Sequence, residues 1–172
     1  MNPVHDILVY RPLQPESAAQ ISELQNEFAS VRSFEPVDNP NLTIFDAKIW
    51  RMMTAFRLQT ALNYAPQVSK QTFESEIVKA EFGIRDRNMP RFAINLVLGD
   101  GANNPFNEEH KRFKKGFEKL DPKLSVKPFN NPHVTIGHIE SGYAIESILD
   151  KASPLIGQQL HIGKTESNVG TV

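Results

Sequence analysis

The sequence predicts an α+β domain in which helices lie outside mostly antiparallel sheets. Apolar residues alternate with period two in several short segments, and they recur at intervals of three and four residues in the segments between. A repeat adds a third observation, since Asn39–Ile44 (NPNLTI) returns as Asn131–Ile136 (NPHVTI). The copies are offset by a little over half the chain (133 − 41 = 92), as expected if two similar halves each contribute one strand to a shared site.

Composition restricts the class of protein. The chain has 172 residues, which suits a single domain over 1–172, and a net charge of −1, which argues against a long nucleic-acid duplex as partner. It has no cysteine, so disulfide and thiolate chemistry are excluded. We find no signal peptide and no apolar run near the ~20 residues of a membrane span. We therefore expect a soluble, cytoplasmic monomer without a membrane partner.

The first half of the chain predicts strands and helices in alternation. Residues 7–10 form a short apolar run typical of a buried strand. An apolar stripe over residues 21–31 predicts an amphipathic helix, with Ser17 as its candidate cap. The first copy of the repeat predicts a strand over 42–49, and residues 50–65, which lack glycine and proline, predict a second helix.

The middle of the chain predicts a hairpin and a third helix. Residues 78–84 and 92–98 alternate between apolar and smaller or polar side chains, and the polar segment 85–90 between them is typical of a turn. Asn104 or Asn107 is the candidate cap of the helix that follows. The outer face of this helix is basic, and it either attracts phosphate or is a solvated surface balanced by neighbouring glutamates. The basic residues are Lys111, Arg112, Lys114, Lys115 and Lys119.

The last part of the chain predicts two strands around a short helix. The second copy of the repeat begins a strand over 133–140. An amphipathic helix is expected over 145–152, and residues 159–165 are a candidate last strand.

The repeat places four polar side chains where chemistry can occur. Side chains alternate between the faces of a strand, so His133 projects with Thr135, and Asn41 projects with Thr43. Histidine titrates near neutral pH and can act as a general acid or base, while a threonine hydroxyl suits a phosphoryl oxygen. Two such strands side by side would form one polar patch, and the chemistry of these groups requires neither a metal nor a cofactor.

The segment His133-Val134-Thr135-Ile136, preceded by a partner copy, resembles the motifs of the two-histidine (2H) phosphoesterase superfamily, also called LigT-like. This resemblance implies a bilobal, pseudo-symmetric fold with a central cleft. It also implies activity on RNA 2′,3′-cyclic phosphates, 2′-5′ linkages or cyclic oligonucleotides, so that the expected partner is a small nucleotide or an RNA end. By the resemblance His133 is a catalytic histidine, and Thr43 and Thr135 bind phosphate.

Asn41 departs from the pattern, because it stands where the superfamily has its other catalytic histidine. An amide can position a phosphate or a water but cannot transfer a proton at neutral pH. Three explanations remain open. The protein binds without turnover, it uses His133 alone on a reactive substrate, or the asparagine was introduced to trap a ligand. Three functions are also left open, namely a phosphodiesterase that is impaired by Asn41, a sequestering module of the same fold, and an interaction domain in which the repeat records only ancestry.

Several other residues are candidates for the site. Phe45 shares the strand parity of Asn41 and could stack on a base or pack in the core, and Phe129 could line the mouth of the site. His138 is five residues after His133, so on a regular strand it would face the opposite side. The pair His5-Asp6 has no partner motif for a metal, and we expect no metal site.

Overall fold

A computed structural model of the chain describes residues 3–84, 91–99, 105–140 and 145–171. Nine strands in these residues form one antiparallel sheet. In chain order they are β1 (His5–Pro12), β2 (Glu35–Pro36), β3 (Asn41–Ile49), β4 (Phe73–Ile84), β5 (Phe92–Gly99), β6 (Ser125–Val126), β7 (His133–Ile139), β8 (Gln159–Ile162) and β9 (Glu166–Thr171). The order across the sheet is β8-β4-β5-β7-β3-β1-β9, with β2 beside β7 and β6 beside β3. The strands that carry the repeat, β3 and β7, are therefore neighbours in the middle of the sheet.

The helices pack as two groups outside the sheet. They are α1 (Pro15–Phe28), α2 (Ala55–Leu62), α3 (Pro105–Glu118) and α4 (Ile145–Ala152) among the described residues. Helix α1 packs against α4, β7 and β8, whereas α3 packs against α2 and β3. The predicted α+β class, with outer helices on an antiparallel sheet, is confirmed.

Several predicted element ends were wrong. Ser17 lies inside α1, where its buried hydroxyl accepts a hydrogen bond from His161 N (2.7 Å), so it does not cap the helix. The second helix begins at Ala55 and not at residue 50, because Trp50 N is bound by the Asp121 carboxylate (3.0 Å) and the helix is capped by Thr54.

Other differences concern strands and caps. Strand β9 was not predicted, since it lies at the sheet edge and its mostly exposed sequence, ESNVGT, has little apolar alternation. Asn107 lies within α3 and does not cap it. The candidate cap Asn104 and the predicted turn 85–90 lie outside the described residues.

Each of the two central strands, β3 and β7, contains one extra residue that interrupts its pairing with a neighbouring strand. Between β1 and β3, Val9 pairs with Phe45 but Tyr10 pairs with Thr43, so Ile44 is unpaired. Between β5 and β7, Ile94 pairs with Gly137 and Asn95 with Thr135, so Ile136 is the extra residue. These are β-bulges, which shift the side-chain alternation by one position beyond the bulge. They occur at corresponding positions of the two copies of the repeat.

A buried ion pair joins β1 to α3. The Arg11 guanidinium lies 2.6 Å from the Glu109 carboxylate, and both side chains are fully buried. Arg11 also donates to the carbonyl oxygens of Gln71 and Gly163, while Glu109 accepts from Ser69 Oγ (2.7 Å). The desolvation cost of the two charges is offset by these hydrogen bonds, so removing either partner leaves an uncompensated charge in the core.

We predict that Glu109→Gln destabilises the protein by about 3 to 5 kcal/mol, because it leaves the buried Arg11 charge unbalanced. The free energy of unfolding from denaturant titration measures this loss. Glu108→Gln, at an exposed position of the same helix, is the matched control and should change stability by less than about 0.5 kcal/mol. Equal stabilities of the two variants would contradict the role given to the pair.

Candidate functional site

The pairing of β3 with β7 brings the two copies of the repeat together. Leu42 pairs with Val134, and both side chains are fully buried on the core side of the sheet. In an antiparallel pair the flanking residues then meet across the strands, Asn41 beside Thr135 and Thr43 beside His133. All four project to the face opposite the core.

These four side chains line one cavity of about 680 Å³, which we call the central cavity. Its remaining described lining comes from β1, β4, β5 and β7 and from the segments before β3 and β7. These residues are Leu8, Val37, Gly83, Ala93, Asn95, Lys127 and His138. Thr43 and His133 are exposed to solvent, and Asn41 and Thr135 are half-buried. The structure thus brings together Asn41, Thr43, His133 and Thr135 as the sequence predicted, and their roles remain a proposal.

His133 is held in one orientation. Its Nδ1 lies 2.8 Å from the carbonyl oxygen of Asn131. A carbonyl oxygen only accepts hydrogen bonds, so in the neutral ring Nδ1 carries the proton and Nε2 carries the lone pair. The nitrogen able to accept a proton is therefore the one remote from the backbone.

The two threonines differ in their hydrogen bonds. Thr135 Oγ1 donates to Asn95 Oδ1 at 2.8 Å, and Asn95 is buried. Thr43 Oγ1 lies 3.4 Å from Asn41 Oδ1, a long contact on an exposed surface. If the Asn95 amide rotated by half a turn, its Nδ2 would donate to Thr135 Oγ1. The Thr135 hydroxyl could then donate its own hydrogen bond to a phosphoryl oxygen. Thr43 can turn its proton toward a ligand with little loss.

His138 lines the central cavity, so the expectation that it faces the opposite side was wrong. The bulge at Ile136 is the reason, because it buries both Ile136 and Gly137 and returns His138 to the face of His133. Gly137 permits the close approach of β2 there, since a Cβ at this position would lie 2.8 Å from Glu35 O. Periodicity alone could not reveal the bulge.

Phe45 does not line the central cavity, so the interpretation of this residue as a stacking platform is corrected. The bulge at Ile44 turns Phe45 into the core, where it is 1% exposed and stacks on Phe117 (5.5 Å between centroids). Asp46 lies on the Thr43 face of β3 instead, outside the described lining of the central cavity, and binds Lys127 Nζ at 2.5 Å. Lys127 itself was not singled out from the sequence, because nothing in its local pattern marks it.

Phe129 lines a pocket of about 230 Å³, the small pocket, together with Thr43, Lys127 and His133. Its ring stacks on His110 at 5.1 Å between centroids. His110 is half-buried and its Nδ1 lies 2.9 Å from Ile44 O, so it supports Phe129 and does not lie on an open helix surface. Phe129 thus stays a candidate for contact with a base.

The remaining candidates have structural partners. On the basic face of α3, Arg112 pairs with Glu108 and Lys114 with Glu118, which favours a solvated, balanced surface. His5 is buried and its Nε2 accepts from Met53 N. Among the described residues, no three His, Asp or Glu side chains are placed to hold a metal ion. None of the described helices is long and apolar enough to cross a membrane.

Tyr10 and Glu166 face each other across β1 and β9 near the central cavity. The hydrogen bond to the Glu166 carboxylate is the main cause that raises the pKa of the Tyr10 phenol above its ordinary 10.0, and burial and the carboxylate charge add to it. The phenol therefore stays protonated over the physiological pH range.

Comparison with known proteins identifies the fold. No family model and no curated protein sequence matches the chain. Among solved structures, E. coli LigT complexed with 3′-AMP superposes with a TM-score of 0.59 at 13% identity, covering 99% of this chain and 96% of LigT. Kluyveromyces marxianus Usb1 with uridine monophosphate gives 0.57 at 12% identity and 97% coverage of both chains. A Thermus thermophilus protein gives 0.58 at 14% identity, covering 95% and 86%.

These neighbours are members of the 2H phosphoesterase superfamily. The chain therefore shares the fold of these neighbours, as the resemblance of its repeat implied. The likeness extends over nearly the whole chain, so both copies of the repeat belong to the shared fold.

We predict that neutral His133 is the Nδ1–H tautomer, because the Asn131 carbonyl accepts from that nitrogen. Long-range ¹H–¹⁵N correlation spectra report the tautomer directly, and His133→Asn assigns the signal by its disappearance. A neutral ring protonated at Nε2 would contradict the orientation described above.

We also predict that Tyr10 titrates above pH 10 and that Glu166→Gln lowers its pKa toward the ordinary value, since the charged acceptor is removed. Because the folded pKa is raised, the stabilising contribution is complete below pH 10 and is lost as the pH rises through the folded pKa. Ultraviolet absorbance of the phenolate measures this titration, with Tyr10→Phe as the assignment. An unchanged titration in Glu166→Gln would count against the hydrogen bond.

Proposed function

We propose that the protein is a phosphodiesterase-like protein that acts on a small nucleotide, with the phosphoryl group bound in the central cavity. The observation that supports this most strongly is the convergence of Asn41, Thr43, His133 and Thr135 on one cavity. The fold it shares with LigT and Usb1, which have been solved with 3′-AMP and with uridine monophosphate, is consistent with a nucleotide ligand. Candidate substrates are a 2′,3′-cyclic phosphate, a 2′-5′ linkage or a cyclic oligonucleotide.

In this proposal the hydroxyls of Thr43 and Thr135 hold two phosphoryl oxygens across the β3–β7 pair. His133 Nε2 removes a proton from the attacking water, whose oxygen forms the new bond to phosphorus as the ester bond breaks. Lys127 lines the same cavity and adds positive charge near the phosphoryl group, although it shares that charge with Asp46. The protein is proposed to work as a cytoplasmic monomer of one domain, without a cofactor.

Asn41 limits the rate in this mechanism. An amide cannot protonate the leaving oxygen at neutral pH, so the leaving oxygen takes its proton from solvent water and Asn41 orients the ligand or the attacking water. The absence of one general acid or base lowers a rate by about 10²- to 10⁴-fold and leaves binding in place. The protein as written is therefore proposed to be slow or to trap its substrate.

Asn41 also favours a second candidate function, a module that sequesters a nucleotide without cleaving it. The same cavity and the same threonines would hold the ligand, and His133 would serve as a hydrogen-bond partner. The two functions differ in whether the ligand is recovered unchanged.

The first test is chromatographic turnover of a nucleotide panel by the protein as written, by Asn41→His and by His133→Ala, with binding measured in parallel. We expect Asn41→His to cleave a ligand at least about 10²-fold faster than the written sequence, because it restores a second proton-transfer group. His133→Ala should abolish the turnover shown by the written sequence.

Binding without cleavage by all three proteins would favour the sequestering module. Neither binding nor cleavage of any nucleotide by folded protein would overturn both functions.

A second prediction concerns the threonines. Thr43→Val and Thr135→Val each remove a hydroxyl at nearly constant shape, so each should weaken nucleotide binding by about 1 kcal/mol, roughly fivefold. Calorimetric titration measures the loss. Thr60→Val, at an exposed position of α2 remote from the cavity lining, is the matched control. Affinity unchanged in both cavity variants would remove the threonines from the site.

A further inference from the structure

The most exposed apolar side chains lie in one short stretch, just before α2 and in its first turn. Met52 is 78% exposed and Phe56 is 81% exposed, and no other large apolar side chain among the described residues is more than half exposed. Arg51 and Arg57, their neighbours in sequence, are also exposed. We call these four residues the α2 patch. Large apolar side chains that protrude beside cations are typical of a surface that binds a partner.

The backbone that carries the α2 patch is anchored to the core. Trp50 N donates to the buried Asp121 carboxylate at 3.0 Å. Met53 N donates to Nε2 of the buried His5 at 3.2 Å. Met52 therefore protrudes between two fixed residues, and the second apolar side chain of the patch protrudes from the first turn of a capped helix. Because this surface is preformed, binding through it requires little further ordering of the chain.

The charge in this part of the chain is entirely positive. Residues 47–73 contain no aspartate or glutamate, although the whole chain has a net charge of −1. Arg51 and Arg57 form no ion pair with any residue that the structure describes. Lys119 of α3 adds a cation nearby, with its Nζ 4.9 Å from the ring centroid of Tyr64, which follows α2. The α2 patch therefore attracts an anionic partner.

The shape and charge of the α2 patch favour one kind of anionic partner. A second copy bound symmetrically would place the arginines of one patch against those of the other, so repulsion opposes this arrangement. An acidic protein would need a recess that matches each protruding side chain. A lipid bilayer needs no such recess, because its interface accepts apolar side chains and its anionic headgroups attract arginine without a fixed geometry.

The position of the α2 patch leaves the candidate site accessible. Helix α3 covers the core side of β3, where Phe45 stacks on Phe117, and α2 packs on α3. The central cavity lies on the opposite face of β3, and none of its described lining residues belongs to the segment 50–64. A membrane bound at the α2 patch would therefore not cover the cavity.

We propose that the α2 patch binds the surface of an anionic lipid membrane. Met52 and Phe56 insert at the level of the headgroups, and Arg51 and Arg57 bind lipid phosphates. The contact is peripheral and reversible, because two apolar side chains fall far short of a membrane span. It uses a different surface from the nucleotide site and does not rest on the proposed function. The expectation of no membrane partner concerns signal peptides and membrane spans, and a peripheral contact requires neither.

The test measures by flotation how the protein as written partitions between buffer and vesicles. Vesicles of phosphatidylcholine and phosphatidylserine in a ratio of about 2:1 are compared with vesicles of phosphatidylcholine alone. We expect the anionic vesicles to bind the protein at least about tenfold more strongly at low salt, and added salt to weaken this binding. Met52→Ser with Phe56→Ser, and separately Arg51→Gln with Arg57→Gln, should each reduce the binding by about tenfold or more.

Matched controls remove the same chemistry outside the patch. Val78→Ser with Ile156→Ser removes two exposed apolar side chains, and Lys79→Gln with Lys164→Gln removes two exposed cations. Both controls should bind the anionic vesicles as the written protein does. Thermal unfolding verifies that every variant is folded.

A fluorescence measurement tests insertion separately from charge. The emission of Phe56→Trp should move to shorter wavelength on anionic vesicles, because the indole leaves water, whereas that of Ile156→Trp should not. Absence of binding to anionic vesicles, or binding unchanged in both patch variants, would overturn the proposal. Binding that needs only the arginines, without an emission shift, would overturn the insertion. Poly-L-glutamate binding at the α2 patch without vesicle binding would assign the patch to an acidic protein and overturn the membrane contact.

Discussion

The candidate site depends on one contact between strands, the pairing of Leu42 with Val134. Their buried side chains fix β3 and β7 against the core, and the residues on either side are directed to the opposite face. Because side chains alternate, a register change of one residue in either strand would turn the two polar groups of that strand toward the core. The strand pairing is therefore what makes a single cavity out of two sequence segments that lie in different halves of the chain.

The two β-bulges give this arrangement its detailed shape. At the end of each copy of the repeat the strand buries two consecutive residues, Ile44 with Phe45 in β3 and Ile136 with Gly137 in β7, and then returns to alternation. The bulge at Ile44 therefore places Phe45 in the core and not in the cavity lining, and the bulge at Ile136 places His138 in the cavity lining. Bulges often occur beside functional sites, where they redirect side chains.

Much of the fold could be predicted from periodicity, since the order of the main strands and helices and the α+β class depend on local patterns of apolar residues. The convergence of Asn41, Thr43, His133 and Thr135 could also be predicted, because a repeated segment implies equivalent positions in two halves. Lys127, His138 and Asn95 could not be found in this way. Their place in the cavity depends on strand register and bulges, which are set by tertiary contacts and not by local sequence.

In the proposed function, Asn41 can take part in binding but not in proton transfer. The hydroxyls, the amide and the imidazole that are proposed to contact a phosphoryl group are all present, whereas the two copies of the repeat contain only one proton-transfer group, His133. The proposed roles of these groups depend on one claim, that the phosphoryl group is bound between β3 and β7.

A crystal structure of the protein as written with a bound nucleotide tests that claim most directly. The account predicts a phosphoryl group within hydrogen-bond distance of Thr43 Oγ1 and Thr135 Oγ1, with His133 Nε2 facing it and its Nδ1 still bound to Asn131 O. A nucleotide bound elsewhere, for example on the basic face of α3, with the central cavity occupied only by solvent, would contradict it.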